Sequence, residues 1–124
     1  MRVAELNIEQ VSGGKTVTRD DGGVIYQRIK AFWNDYERIS VNFANLLIAS
    51  VSFMDEAFGQ LALEHSEQEL RKKLEFANMS RFDRALLNDI IMSRIHERSL
   101  KNPQHSPRKH IKVGVLISKN RRKD

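Results

Sequence analysis

The chain has no cysteine and only two prolines in 124 residues. Without thiols there is no disulfide framework, no thiolate nucleophile, no cysteine-ligated zinc and no iron–sulfur cluster. Long apolar runs are missing as well. Runs such as residues 46–49 fall far short of the roughly 20 residues that cross a bilayer. Glu5, Asn7 and Glu9 interrupt the opening segment, which therefore lacks the charged-then-apolar order of a secretory leader. A cytoplasmic protein is the expectation.

The short signatures of common enzyme classes are absent too. There is no Gly-x-Gly-x-x-Gly behind a strand, no Gly-x-Ser-x-Gly and no His-Glu-x-x-His. Gly13-Gly14-Lys15-Thr16 ends like a phosphate loop but lacks the earlier glycine and the helix that should follow, so it reads as a hairpin turn. The histidines, His65, His96, His105 and His110, show no helical ligand spacing. Neighbouring carboxylates, Asp20 with Asp21 and Asp55 with Glu56, are residues that favour helix starts. No catalytic residue, cofactor or metal is assigned, and the chain is expected not to be an enzyme.

What is present describes a folded domain. Hydrophobic residues make up 40% and charged residues 30%, at a length that suits one domain. The net charge of +5 is unevenly spread. Residues 101–124 hold eight basic side chains and one acidic one; residues 1–100 hold 13 basic and 15 acidic. The expectation is an α/β domain over residues 1–100 and a basic segment over residues 101–124. Such a segment attracts nucleic acid, an acidic partner or a membrane surface, or serves only as a solvated terminus.

Periodicity supplies the elements. Ala4, Leu6 and Ile8 alternate with Glu5, Asn7 and Glu9, a strand with one wet face. Residues 12–14 then form a turn, and residues 15–18 a short return strand. Asp20 or Asp21 caps a helix over residues 24–36 whose apolar face is Ile25, Ile29, Phe32, Trp33 and Tyr36. Ile39, Val41 and Phe43 alternate again as a strand. Ser52-Phe53-Met54-Asp55 has the form of a capping box and predicts a helix to about Glu64 that buries Phe53, Ala57, Phe58 and Leu61. A charged turn leads to a strand over residues 74–78. Ser80 starts a long helix, to about residue 99, that buries Phe82, Leu86, Leu87, Ile90, Ile91 and Ile95. Pro103 and Pro107 bracket a polar linker, and Ile111, Val113, Val115 and Ile117 alternate as a last strand. The order predicts a small, mixed, mainly parallel sheet with helices packed on one face.

The segment from Ile39 to Leu61 carries the functional reading. A helix that starts behind a strand's carboxyl end faces the region where α/β sheets bind partners, and its free N–H groups favour negative charge. A residue in its first turn is well placed for a phosphate switch. Val41-Asn42-Phe43 followed by Val51-Ser52-Phe53-Met54-Asp55-Glu56-Ala57-Phe58-Gly59 resembles the centre of STAS-like domains. The match is to the anti-sigma factor antagonist-like kind with a Ser-Phe-x-Asp-Glu motif. The likeness covers about residues 18–95. It implies a partner-switching protein that binds a histidine-kinase-like ATPase through residues 45–59, with Ser50, Ser52, Asp55, Glu56 and Gly59 as contacts. In such antagonists a serine after the aspartate is phosphorylated. Here Asp55 is followed by Glu56, which cannot be phosphorylated and acts either as a partial permanent mimic or as a helix-dipole residue. Ser50 and Ser52 are displaced candidates for modification, Ser52 being also the helix cap.

Two other readings follow from the charge. A nucleic-acid-binding accessory subunit would use Arg108, Lys109, Lys112, Arg121 and Arg122, with Arg81, Arg84, Arg94 and Arg98 on the last long helix. Alternatively the chain is one subunit of a bacterial stress or phage-defence assembly, its last strand pairing across an interface.

Overall fold

The computed structural model describes residues 2–47 and 49–101. Among them a sheet of three parallel strands runs in the order β1 (Val3–Asn7), β2 (Arg38–Asn42), β3 (Leu74–Ala77). The alternation seen in the sequence sets the register. Ala4 lies beside Ile39 and Ile39 beside Leu74; Leu6 lies beside Val41 and Val41 beside Phe76. These residues form one apolar face. Glu5, Ser40 and Glu75 line up on the other, half-buried or exposed.

Five helical elements surround the sheet. They are α1 (Ile8–Ser12), α2 (Arg19–Phe32), α3, α4 (Glu67–Lys73) and α5 (Arg81–Lys101). The third, α3, is one continuous run of an α segment (Val51–Met54), a π segment (Asp55–Gly59) and a second α segment (Gln60–Glu64). Ile25 and Ile29 of α2, Phe53, Phe58 and Leu61 of α3, and Leu87 and Ile90 of α5 join the apolar sheet face in a single core. The parallel sheet and its helical cover are those the element order predicts. No helix among the described residues is long and apolar enough to cross a membrane.

The expected hairpin does not form. Asn7 accepts the Gln10 N–H at 3.0 Å, and Gly13, at φ +82°, closes the helix with its N–H on the Glu9 carbonyl. With both ends satisfied, Ile8 passes into helix α1 and is buried. Residues 15–18 lead on toward α2; Lys15 offers its carbonyl to the Leu47 N–H at 3.0 Å instead of pairing back along β1.

The start of α2 also differs from expectation. The cap is Thr18, not Asp20 or Asp21: its hydroxyl accepts the Asp21 N–H, and the Asp21 carboxylate accepts the Thr18 N–H at 2.9 Å. Gly22 and Gly23 therefore lie inside the helix. Gly22 is required there, since a Cβ at that position would meet the Phe53 carbonyl oxygen at 2.6 Å. The missing side chain lets α2 and α3 touch backbone to backbone.

The expected charged turn is helix α4, begun by a capping box between Ser66 and Glu69. Phe82 is not buried by α5: it is 73% exposed, because the helix turns its first residues away from the core. The predicted last strand, the proline-bracketed linker and the rest of the basic segment, residues 102–124, lie outside the described residues.

Candidate functional site

All three strands point their carboxyl ends the same way, so the segments that follow them gather at one end of the sheet. Asparagines organise that end. Asn7 closes β1 and caps α1; Asn42 closes β2 and accepts both the Ala44 N–H (2.8 Å) and the Asn78 side-chain amide (2.9 Å). Asn45 and Asn78 adopt left-handed backbone conformations, φ +69° and +58°, which asparagine tolerates better than most residues. The Asn45 amide donates to Glu9 at 3.2 Å. The turns after the strands are thereby held without buried charge. Sequence reasoning missed this cluster, although an asparagine at or just past each strand end was there to read.

Around it stand large apolar side chains in water. Leu47, between β2 and α3, is 69% exposed, and Val51, the first residue of α3, is 58% exposed. Phe82 projects from the first turn of α5 on the same end. Hydrophobic side chains this exposed are the material of protein contacts when they cluster.

The helix expected to present its tip starts two residues earlier than the capping motif suggests. Ser50 is its cap, accepting the Phe53 N–H at 3.1 Å, and Ser52 lies inside the first turn, half-buried. Asp55 and Glu56 consequently sit in the second turn, within the π segment, and not at the dipole's positive end. Three successive residues there, Ala57, Phe58 and Gly59, are buried. The wider turn aims them between α2 and α5, a device often found at functional positions.

Each acidic residue is held by an arginine. Arg94 of α5 forks onto Asp55, its Nε donating to Oδ1 at 2.8 Å and its Nη2 to Oδ2; a third donor reaches Glu97 at 3.2 Å. The hydrogen bond to Asp55 raises the Arg94 pKa further, against the opposing effect of burial. Gly59 packs against this pair: a Cβ there would lie 2.5 Å from Asp55 Oδ1. Glu56 faces the other way and accepts from Arg19 of α2 at 3.1 Å. Ser50 and Ser52 thus open the helix, Asp55 and Gly59 look toward α5, and Glu56 looks toward α2.

The basic residues divide in a similar way. Arg81 and Arg84 are exposed, while Arg94 is tied to Asp55 and Arg98 donates to the His65 carbonyl at 2.9 Å. Arg108, Lys109, Lys112, Arg121 and Arg122 lie outside the described residues. Among the described residues no group of three His, Asp or Glu side chains is placed to hold a metal ion.

Comparison with known proteins gives one result. The sequence model of a STAS-like domain of unknown function (DUF4325) matches residues 21–83, just over half of the chain and the span from α2 to the start of α5. No curated protein and no solved structure matches the chain.

Proposed function

We propose that the chain, which belongs to the family of STAS-like domains of unknown function (DUF4325), is a non-catalytic interaction module. It grips a protein partner with the carboxyl end of its sheet. The partner chemistry that fits is a histidine-kinase-like ATPase of the anti-sigma type, bound through residues 45–59. The Ser52-Phe53-Met54-Asp55-Glu56 run supports the finer kinship with anti-sigma factor antagonists. A cytoplasmic location goes with this reading.

The observation that carries it is the pair of exposed aliphatic residues, Leu47 and Val51, flanking the entry to α3. They supply apolar anchors, and the asparagine cluster supplies a neutral polar rim, the arrangement of a small interface. Asp55 and Gly59 act from behind as supports, since the Arg94 fork fixes the π segment beneath the surface. Glu56 carries a standing negative charge beside Arg19, so partner release at this position does not depend on adding a phosphate there. Ser50 and Ser52 are the hydroxyls left for such control. A phosphate on Ser50 would also disturb the helix cap.

Binding of the full chain to a purified histidine-kinase-like ATPase, followed by calorimetry, tests the proposal. Leu47→Asp and Val51→Asp should each weaken binding at least about tenfold, the range of an interface anchor, while leaving the melting temperature nearly unchanged. Glu56→Lys should weaken it less. Equal affinity for the native chain and both aliphatic variants would remove this surface from the interface.

A further inference from the structure

The first turn of α5 carries three side chains that the fold does not use: Arg81, Phe82 and Arg84. Ser80 caps the helix, its hydroxyl accepting the Asp83 N–H at 3.0 Å and its carbonyl the Arg84 N–H at 2.9 Å. Leu87 and Ile90 then define the buried face. Phe82 stands one turn ahead of half-buried Leu86, so the ridge they share runs from the core out into water. In the free chain the ring forgoes the gain of burial. Arg81 lies at the positive end of the helix dipole, where a cation is locally unfavourable. Among the described residues neither the Arg81 nor the Arg84 guanidinium makes a hydrogen bond or ion pair. Further along the same helix Arg94 holds Asp55 and Arg98 holds the His65 carbonyl.

This group adjoins the surface around Leu47 and Val51. Asn78, just ahead of the Ser80 cap, donates its amide to Asn42, and Asn42 also holds the Ala44 N–H. One polar chain thus ties the start of α5 to the turn that leads to Leu47. The first segment of α3, which begins at Val51, packs against α5. Aromatic residues and arginine are the side chains that concentrate at the centre of protein interfaces. A nucleic-acid strand calls instead for a run of cations along its phosphates. Here Asp83 separates the two arginines, and Glu9 and Glu56 lie at the same end.

Resting on the reading of this end as a partner surface, we propose that Phe82, flanked by Arg81 and Arg84, is its second docking foot. The partner that fits it is a protein with an apolar recess rimmed by carboxylates. The ring gains in the complex the burial it lacks in the free chain. The two guanidinium groups gain carboxylate acceptors, which suit their planar fork of donors. Leu47 and Val51 add aliphatic contact beside the ring. Arginines at the rim attract an acidic partner at a distance and are screened by salt, so they act chiefly on how fast it arrives.

Calorimetry with the full chain and a purified histidine-kinase-like ATPase tests this. Phe82→Ala should weaken binding at least about tenfold with the melting temperature unchanged, since the ring is mostly in water in the free chain. Raising salt from about 50 mM to about 500 mM should weaken binding of the native chain at least about fivefold. The double variant Arg81→Gln with Arg84→Gln should lose less than about twofold over the same range. Native affinity in Phe82→Ala, or an equal salt response in the double variant, would overturn the proposal. If Leu47→Asp and Val51→Asp still weaken binding in that case, docking through residues 45–59 stands without this foot. Loss in Phe82→Ala alone, with both aliphatic variants binding normally, would support the foot and remove residues 45–59 from the interface. No binding of the ATPase by the native chain would overturn both. A single-stranded oligonucleotide that binds the native chain and is lost in Phe82→Ala would assign the ring to base stacking and overturn the proposal as well.

Discussion

Arg94 of α5 holds Asp55 of α3 through a two-pronged hydrogen bond across 39 residues of sequence. Both side chains keep about a quarter or a fifth of their surface in water, 25% for Arg94 and 21% for Asp55. The pair therefore lies between a surface ion pair, worth about 0–1 kcal/mol, and a buried one, whose breaking costs about 3–5 kcal/mol. A double-mutant cycle with Asp55→Ala and Arg94→Ala should give a coupling of about 1–2 kcal/mol. Each single variant should melt several degrees lower, at about 4–8 °C per kcal/mol. Additive losses would mean that the fork contributes nothing of its own.

The adjacent glycines of α2 should respond oppositely to the same substitution. Gly22→Ala places a methyl 2.6 Å from the Phe53 carbonyl oxygen and forces the two helices apart. An overpacking loss of about 1–3 kcal/mol is expected. Gly23→Ala meets nothing nearer than Glu56 Cγ at 3.9 Å and should stabilise the chain by about 0.4–1 kcal/mol through helix propensity. Denaturant titration of the two variants separates them by sign.

Ser50 and Ser52 make a similar contrast. Ser50→Ala removes the α3 cap and should cost about 0.5–2 kcal/mol. Ser52→Ala removes no capping bond and should stay within about 0.5 kcal/mol of the native chain. The reverse ranking in urea melts would restore the capping box that the sequence suggests at Ser52.

Glu69 ties acid stability to α4. Its pKa is lowered, first because its carboxylate accepts the Ser66 backbone N–H and then through the neighbouring His65. A lowered carboxylate pKa means that the folded state binds the proton less well than the unfolded chain. The stabilisation is present above the ordinary carboxylate value, about 4.3, and disappears as pH falls through the folded value. Glu69→Gln keeps a capping acceptor without the titration. Its stability should fall less steeply than that of the native chain as pH drops below about 4.3, as measured by thermal melts on the acid side.

The sheet and the long helices were legible because their signals are periodic. Ala4 and Leu6, Ile39 and Val41, and Leu74 and Phe76 alternate in the sequence and line up as one face in the structure. Local exceptions were harder to read. Helix α1 has five residues, too few to show a period, and only the cap at Asn7 marks it. Gly22-Gly23 looks like a chain break until Phe53, 31 positions later, is known to press against it. The π segment has no sequence signature: Ala57, Phe58 and Gly59 are all buried because helices flank both sides, a fact of assembly. Within the candidate site, the expected acidic helix tip gave way to two arginine-held carboxylates. Arg19 and Arg94 are distant in sequence, and nothing local announces them.

The purely parallel ladder governs how this domain can reach its native state. Every bridge in it joins residues 35 positions apart, Val3 with Arg38 and Ile39 with Leu74 alike. No hairpin among the described strands can seed the sheet locally, so a loop of that length must close before its first inter-strand bond forms. Such contact order slows folding, because the non-local pairings must close long loops before they gain any bond. Strand edges stay bare until late, and newly synthesised chains are then most exposed to one another.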